Sequence, residues 1–137
     1  MIDISDLRSG NQIMHNASGA TVTVLKIENN LVLLETFPES SYCLNTDISG
    51  IELTITMLQN LFFKNDEDVS KWTGHGINLY LKPDGFFYGL RISKSRAKIQ
   101  YLHQLQNYIA DFYATFREQH YSLDLGMLYS NAKANML

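Results

Sequence analysis

The sequence predicts an α+β protein in which an N-terminal SH3-like small β-barrel is followed by a short helix, a β-hairpin and a long amphipathic C-terminal helix. Two observations predict this order. Short apolar runs separated by turn residues fill the first fifty positions, which is typical of small antiparallel barrels. Apolar residues at three- and four-residue steps dominate the stretch from residue 99, which is typical of an amphipathic helix. We therefore expect a β unit over residues 1–50 and a helix–hairpin–helix unit over residues 51–137 packed on it.

The composition indicates a globular protein. Its 137 residues suit one domain or two small subdomains sharing a core, and 45% of them are apolar. The net charge of −3 argues against a protein that mainly coats nucleic acid. The single Cys43 excludes an intrachain disulfide framework and a cysteine-based zinc site, and it fits a cytoplasmic protein. The sequence shows neither a signal peptide nor an apolar run long enough for a membrane span.

The first fifty residues predict four or five short antiparallel strands. Asn29-Asn30 tolerates positive φ and is expected to join two strands in a two-residue hairpin turn. The apolar runs that predict strands are QIMHN (12–16), ATVTVLKIE (20–28), LVLLETF (31–37) and YCLNTDI (42–48). Their number and spacing favour an SH3-like barrel or a strongly bent sheet.

The middle of the chain predicts a short helix and an exposed connection. Thr54 or Thr56 can cap a helix over residues 55–61. The apolar spacing predicts that its buried side consists of Ile55, Met57, Leu58 and Leu61. The polar stretch 64–71 is then expected to be a surface connection.

A second hairpin is predicted at Lys82-Pro83-Asp84-Gly85. Proline presets φ for the first corner of a type I turn, and glycine supplies the left-handed residue after it. Apolar residues alternate over residues 77–81 before this turn, and the aromatic run 86–88 follows it.

The stretch IQYLHQLQNYIADFYATF, residues 99–116, predicts a long helix with a broad apolar face. A polar stripe of His103, Gln106 and Asn107 shares one face of it. Two interpretations of this stripe are favoured over a catalytic base: contact with a partner, or hydrogen bonds to the protein's own sheet. Beyond His120 the pattern weakens, so an extra helix, a partner-binding segment and a frayed tail all stay open.

A basic strip follows the second hairpin and consists of Arg91, Lys94, Arg96 and Lys98. In a strand, three of these cations would project from one face and could bind phosphates or an acidic partner. The alternative is a solvated edge strand whose charges prevent unwanted strand pairing.

The segment WTGHGIN contains Trp72 and, between two glycines, His75. Trp72 is either a core residue or an exposed aromatic that binds a partner. The glycines match no phosphate-binding pattern. No two histidines have the spacing of paired metal ligands, so neither a metal nor another cofactor is expected.

Three segments resemble a set of small proteins, without assigned activity, encoded in Bacteroidetes genomes and their phages or prophages. These segments are DLRSGNQIMHN, IELTITMLQNLFF and KIQYLHQLQNYIADF. The last is similar to a YVHQLQN-like segment near the end of those proteins. The chain departs from them at residues 50–53, which lack prolines, and after Ala110, where the helix runs longer. The resemblance implies a phage-linked accessory or regulatory protein.

The expected function is therefore a non-catalytic binding or adaptor protein that self-associates or docks a protein partner. A nucleic-acid or nucleotide binder using the basic strip is the first alternative. A small hydrolase built around His75 or His103 is the second.

Overall fold

The computed structural model describes residues 2–36, 39–65, 70–90 and 96–116, with side chains of the last helix described as far as Phe112. The described residues form a mixed α and β structure that consists mostly of strands and contains two α-helices. The chain divides into two compact units, Met1–Glu52 with Tyr101–Asn107, and Leu53–Gln100 with the chain from Tyr108.

The first unit contains a five-stranded antiparallel sheet that curls into a half-barrel. The strands are β1 (Gln12–His15), β2 (Ala20–Glu28), β3 (Leu31–Glu35), β4 (Ser41–Cys43) and β5 (Ile48–Ser49). Their order in the sheet is β4-β3-β2-β1-β5, so the last strand pairs with the first. Short 3₁₀ turns precede β1 at Ile4–Asp6 and β5 at Asn45–Asp47.

The predicted turn at Asn29-Asn30 is confirmed. Both residues have positive φ, 51° and 65°, and Glu28 pairs directly with Leu31 across the turn. A β-bulge between Val24 and Lys26 shifts the register of β2. Because the bulge inserts one residue, strict alternation along β2 is broken and Ile27 packs against the core. The buried core of this unit consists of Ile2, Leu7, Ile13, Val22, Val24, Val32, Leu34 and Ile48.

The predicted strand over residues 42–48 is two strands separated by a 3₁₀ turn. The Asp47 carboxylate accepts a hydrogen bond from the Leu44 N–H at 3.0 Å, and the Asp47 N–H donates to the Leu44 carbonyl at 3.0 Å. These local bonds offer the backbone an alternative to the ladder. The chain therefore turns after β4, and Ile48 enters the core on β5.

The second unit contains another five-stranded antiparallel sheet, with order β10-β9-β8-β7-β6. The turn at Lys82–Gly85 is confirmed, with φ 87° at Gly85 and a bond from the Lys82 N–H to the Phe86 carbonyl at 3.0 Å. His75-Gly76 forms a second two-residue turn, with φ 54° and 75°. The strands are β6 (Lys64–Asn65), β7 (Lys71–Gly74), β8 (Ile77–Leu81), β9 (Phe87–Leu90) and β10 (Arg96–Ile99).

The short helix α1 spans Ile55–Asn60, close to its predicted range. Thr54 caps it by accepting a bond from the Met57 N–H at 3.2 Å. Leu58 and Leu61 are fully buried, as predicted, but Ile55 is 44% exposed, so burial begins one turn later than expected.

The long helix α2 spans Leu102–Phe116, and it begins three residues later than the start of the predicted stretch. Ile99 belongs to β10, where it and Ala97 are buried at alternate positions. The Gln104 side chain accepts a bond from the Tyr101 N–H at 3.1 Å, as the third residue of a helix does in a capping box. Ile99 lies three residues before Leu102, which is a helical spacing, but it is the last residue of a strand.

We predict that Gly50→Ala destabilises the first unit. A Cβ at Gly50 would approach the Tyr101 ring to 2.6 Å, because this ring lies against the glycine backbone. Relieving that overlap requires a shift of the ring, which costs about 1–3 kcal/mol in a well-packed site. Urea unfolding measures the change. A Gly50→Ala variant as stable as the wild type would contradict the packing.

Candidate functional site

The two amides of the polar stripe on α2, Gln106 and Asn107, are hydrogen-bonded within the first unit. Gln106 accepts a bond from the Gln12 N–H at 2.8 Å and donates to the Gly10 carbonyl at 3.2 Å. Asn107 accepts from the Asn11 amide at 2.8 Å and donates to the Asp6 carbonyl. The sequence left open whether these amides contact their own chain or a partner. Each of the two side-chain amides both donates and accepts a hydrogen bond within the first unit.

The segment that receives these amides is itself ordered by polar contacts. Asn11 is 3% exposed, and its side-chain oxygen accepts a bond from the Arg8 N–H at 2.7 Å. Gln12 is 8% exposed, and its amide donates to the Thr23 hydroxyl at 2.8 Å. A buried amide costs free energy unless it is paired. These bonds therefore hold Asn11 and Gln12 in place where they meet Gln106 and Asn107 of α2.

His103 lies in the core rather than in an open cleft. It is 1% exposed, and its ring stacks on the Tyr101 ring with centroids 5.7 Å apart and an interplanar angle of 9°. Its Nδ1 has no hydrogen-bond partner among the described residues. Burial lowers the pKa of His103 from 6.5 to about 4, so the imidazole is neutral at physiological pH.

His75 and Trp72, both in the second unit, are also engaged in its structure. The His75 ring nitrogen Nε2 lies 2.7 Å from the Leu61 carbonyl oxygen, and its ring meets the Phe63 ring edge to face. Trp72 lies on β7 and is 5% exposed, which is the position of a core residue. The arrangement ties the turn after β7 to the end of α1.

The basic strip is described only in part, because Arg91 and Lys94 lie outside the described residues. Arg96 and Lys98 stand at alternate exposed positions of β10 and so share one face, as the spacing predicts. The Lys98 ammonium lies 3.9 Å from the centroid of the Phe86 ring, in a cation–π contact.

An open groove of about 590 Å³ lies beside the β2–β3 turn of the first unit. It is lined by Ile2, Asp3, Ile4, Asn30, Leu44 and Asn45. Asp3 caps the first 3₁₀ turn, where its Oδ1 accepts bonds from the Ser5 N–H at 3.0 Å and the Ser5 hydroxyl at 2.7 Å. The left-handed conformation of Asn30 and the turn after β4 bring the remaining lining residues to the same groove.

The groove combines apolar surface with polar groups that are not paired. The Asn30 and Asn45 side-chain amides make no hydrogen bond to any described residue, in contrast to the amides of α2. The bonds from Ser5 lower the pKa of the Asp3 carboxyl, which therefore stays ionised at neutral pH. Leu44 is 53% exposed, and Tyr42 two residues earlier is 48% exposed. We take this groove as the candidate binding site.

The sequence does not predict this site. It predicts a turn at Asn30 and a strand that includes Leu44 and Asn45. The available signal was local: an aspartate two residues before a serine, and an Asn-Thr-Asp sequence able to form a capped turn after Leu44.

Comparison of the chain with protein-family models, with curated proteins and with solved structures finds no match. Within the described ranges, no three histidine, cysteine or acidic side chains are grouped so that they could hold a metal ion. No described helix is both long and apolar enough to cross a membrane.

We predict that Asn107→Ala destabilises the first unit by about 1–3 kcal/mol, because it leaves the buried Asn11 amide and the Asp6 carbonyl without their partner. Urea unfolding of the full chain measures this loss. Asn45→Ala is the matched control, since it removes an amide with no described partner, and should change stability by less than about 0.5 kcal/mol. Equal effects of the two substitutions would contradict the network.

We also predict a pH dependence of stability that depends on His103. Its pKa is lower in the folded protein than the unfolded value of 6.5, so the unfolded chain binds the extra proton as pH falls from 6.5 towards 4. Lowering the pH from 7.5 to 5 should therefore cost about 2 kcal/mol through this group. Urea unfolding at both pH values measures the loss in the wild type and in His103→Leu. A variant with the undiminished pH dependence would overturn this assignment.

Proposed function

We propose that this protein is a non-catalytic binding protein, an adaptor that acts through protein–protein contacts, and that its first unit is an SH3-like barrel carrying the binding site. The strand order supports the barrel: five antiparallel strands, the last paired with the first, with a 3₁₀ turn before the last. The described part of α2 would be the start of the long amphipathic C-terminal helix. A phage-linked accessory role in the cytoplasm, with self-association as one form of contact, belongs to the same proposal.

The groove is the observation that carries this proposal. Buried amides in the first unit are hydrogen-bonded, whereas the two amides in the groove have no described partner and stand beside apolar surface. Binding sites commonly combine apolar lining with a few polar groups that fix the orientation of a ligand. An exposed leucine at such a site also leaves apolar area for a partner to cover.

The geometry gives less support to the alternatives. His103 is enclosed in the core, and the His75 ring contacts the backbone carbonyl of Leu61, so the described contacts of both imidazoles are structural rather than those of a catalytic base. Exposure of Arg96 and Lys98 on one face favours nucleic-acid binding as the second candidate. The net charge of −3 and the contact of Lys98 with Phe86 make it the weaker one.

We expect selection from a displayed library of random peptides on the immobilised full chain to enrich peptides that bind the groove. Their affinity for Leu44→Glu should fall about four- to fifteenfold. Fully burying a leucine contributes about 1.5–3 kcal/mol, Leu44 has about half of its surface left to cover, and each 1.4 kcal/mol is tenfold. Fluorescence anisotropy of labelled peptides gives the dissociation constants, and circular dichroism checks the fold of each variant.

Leu90→Glu is the matched control. Leu90 is also 53% exposed but lies on β9 of the second unit. Binding should therefore be unchanged in this variant. Enrichment of no peptide, or of peptides that bind Leu44→Glu as well as the wild type, would reject the groove as the binding site.

A further inference from the structure

The lining of the groove places one charged group among apolar ones. Asp3 stands between Ile2 and Ile4 in the chain, and all three line the groove together with Leu44. Among the described residues that line the groove, Asp3 is the only charged one, and none is a lysine, arginine or histidine. The electrostatic character of the site is therefore negative, which disfavours phosphate and carboxylate ligands.

The Asp3 carboxylate has an oxygen available for a ligand. Both bonds from Ser5 end on Oδ1, and Oδ2 makes no bond to another described residue. Because these bonds hold the carboxyl group ionised and oriented, Oδ2 is a fixed anionic acceptor at neutral pH. An ammonium or guanidinium group is the complementary donor.

The two amides of the groove indicate the form of the ligand. Asn30 and Asn45 each offer an N–H₂ donor and a carbonyl acceptor, and neither makes a side-chain bond to another described residue. A peptide backbone presents the matching acceptor and donor at every residue. An open groove with two such amides therefore fits an extended chain segment better than a compact small molecule.

We propose that the groove binds an extended peptide segment of a protein partner that carries a basic side chain close to an apolar one. The basic group pairs with Asp3 Oδ2, the apolar side chain covers Leu44 and Ile4, and the amides of Asn30 and Asn45 bond the peptide backbone. This inference rests on the proposed function and specifies the chemistry of its partner. The apolar contact supplies most of the affinity, and the charge supplies selectivity, because an exposed ion pair contributes only about 0.2–1 kcal/mol.

The peptides enriched in the selection test this inference through their composition. They should contain lysine or arginine within a few residues of an apolar side chain. Their affinity for Asp3→Asn should fall about two- to fivefold at low salt, and this difference should shrink at high salt. Asparagine retains an acceptor for the Ser5 bonds, so the variant removes the charge and keeps the cap.

Two controls separate charge from structure. Glu35→Gln removes one negative charge at the far end of β3 from Asn30 and should leave binding unchanged. Replacing the basic residue of the peptide by glutamine should weaken binding to the wild type as much as Asp3→Asn does, and should have no further effect on that variant. The peptide substitution is measured on the wild-type protein, so its effect can be read even where a protein variant folds poorly.

The possible results distinguish the two proposals. Peptides that lack basic residues but lose binding to Leu44→Glu would overturn the basic-segment inference and leave the binding function standing. Equal binding to Asp3→Asn and the wild type at low salt would do the same. Enrichment of no peptide would overturn both.

Discussion

The first unit depends on the pairing of amides that are buried where the chain enters β1. Asn11 is almost completely buried, and Gly10 and Gln12 on either side present backbone groups to α2. An unpaired amide in such a place would cost more than its hydrogen bond contributes when made. Gln106 and Asn107 supply donors and acceptors at the required positions, so the loop before β1 and the first turns of α2 specify each other's position. His103, which is buried three residues before Gln106 on the same helix, is held in this unit by the same constraint.

Asparagine has two opposite roles in the same unit. Asn11 and Asn107 are buried or bonded and act as structural residues, whereas Asn30 and Asn45 line a groove without a described side-chain partner. Residue type does not distinguish these roles, because the same amide serves both. Burial and hydrogen-bond partners distinguish the two roles. By these two criteria the candidate binding residues lie in the turns that contain Asn30 and Asn45, and not on α2.

Features fixed by neighbouring residues could be predicted from the sequence. The turns at Asn29-Asn30 and Lys82–Gly85 were found because each needs a left-handed residue that asparagine or glycine supplies. The bulge after Val24 and the strand position of Ile99 were not found, since a bulge leaves no local signal and Ile99 fits two periodicities at once. The groove could not be predicted from the sequence for a different reason. Its residues come from positions 2–4, 30 and 44–45, which only the folded sheet brings together.

The membership of Tyr101–Asn107 in the first unit makes that unit discontinuous along the chain. All five strands of its sheet are complete by Ser49, yet the side chains that pair with Asp6, Gly10, Asn11 and Gln12 are 94 to 101 positions further on. These polar groups therefore find their side-chain partners only after Gln106 and Asn107 have been synthesised. Closing so long a loop adds slow, non-local contacts at the end of folding. Topologically, residues 53–100 lie between two parts of one unit, so the chain has to return to Asn11 after it has formed the second sheet.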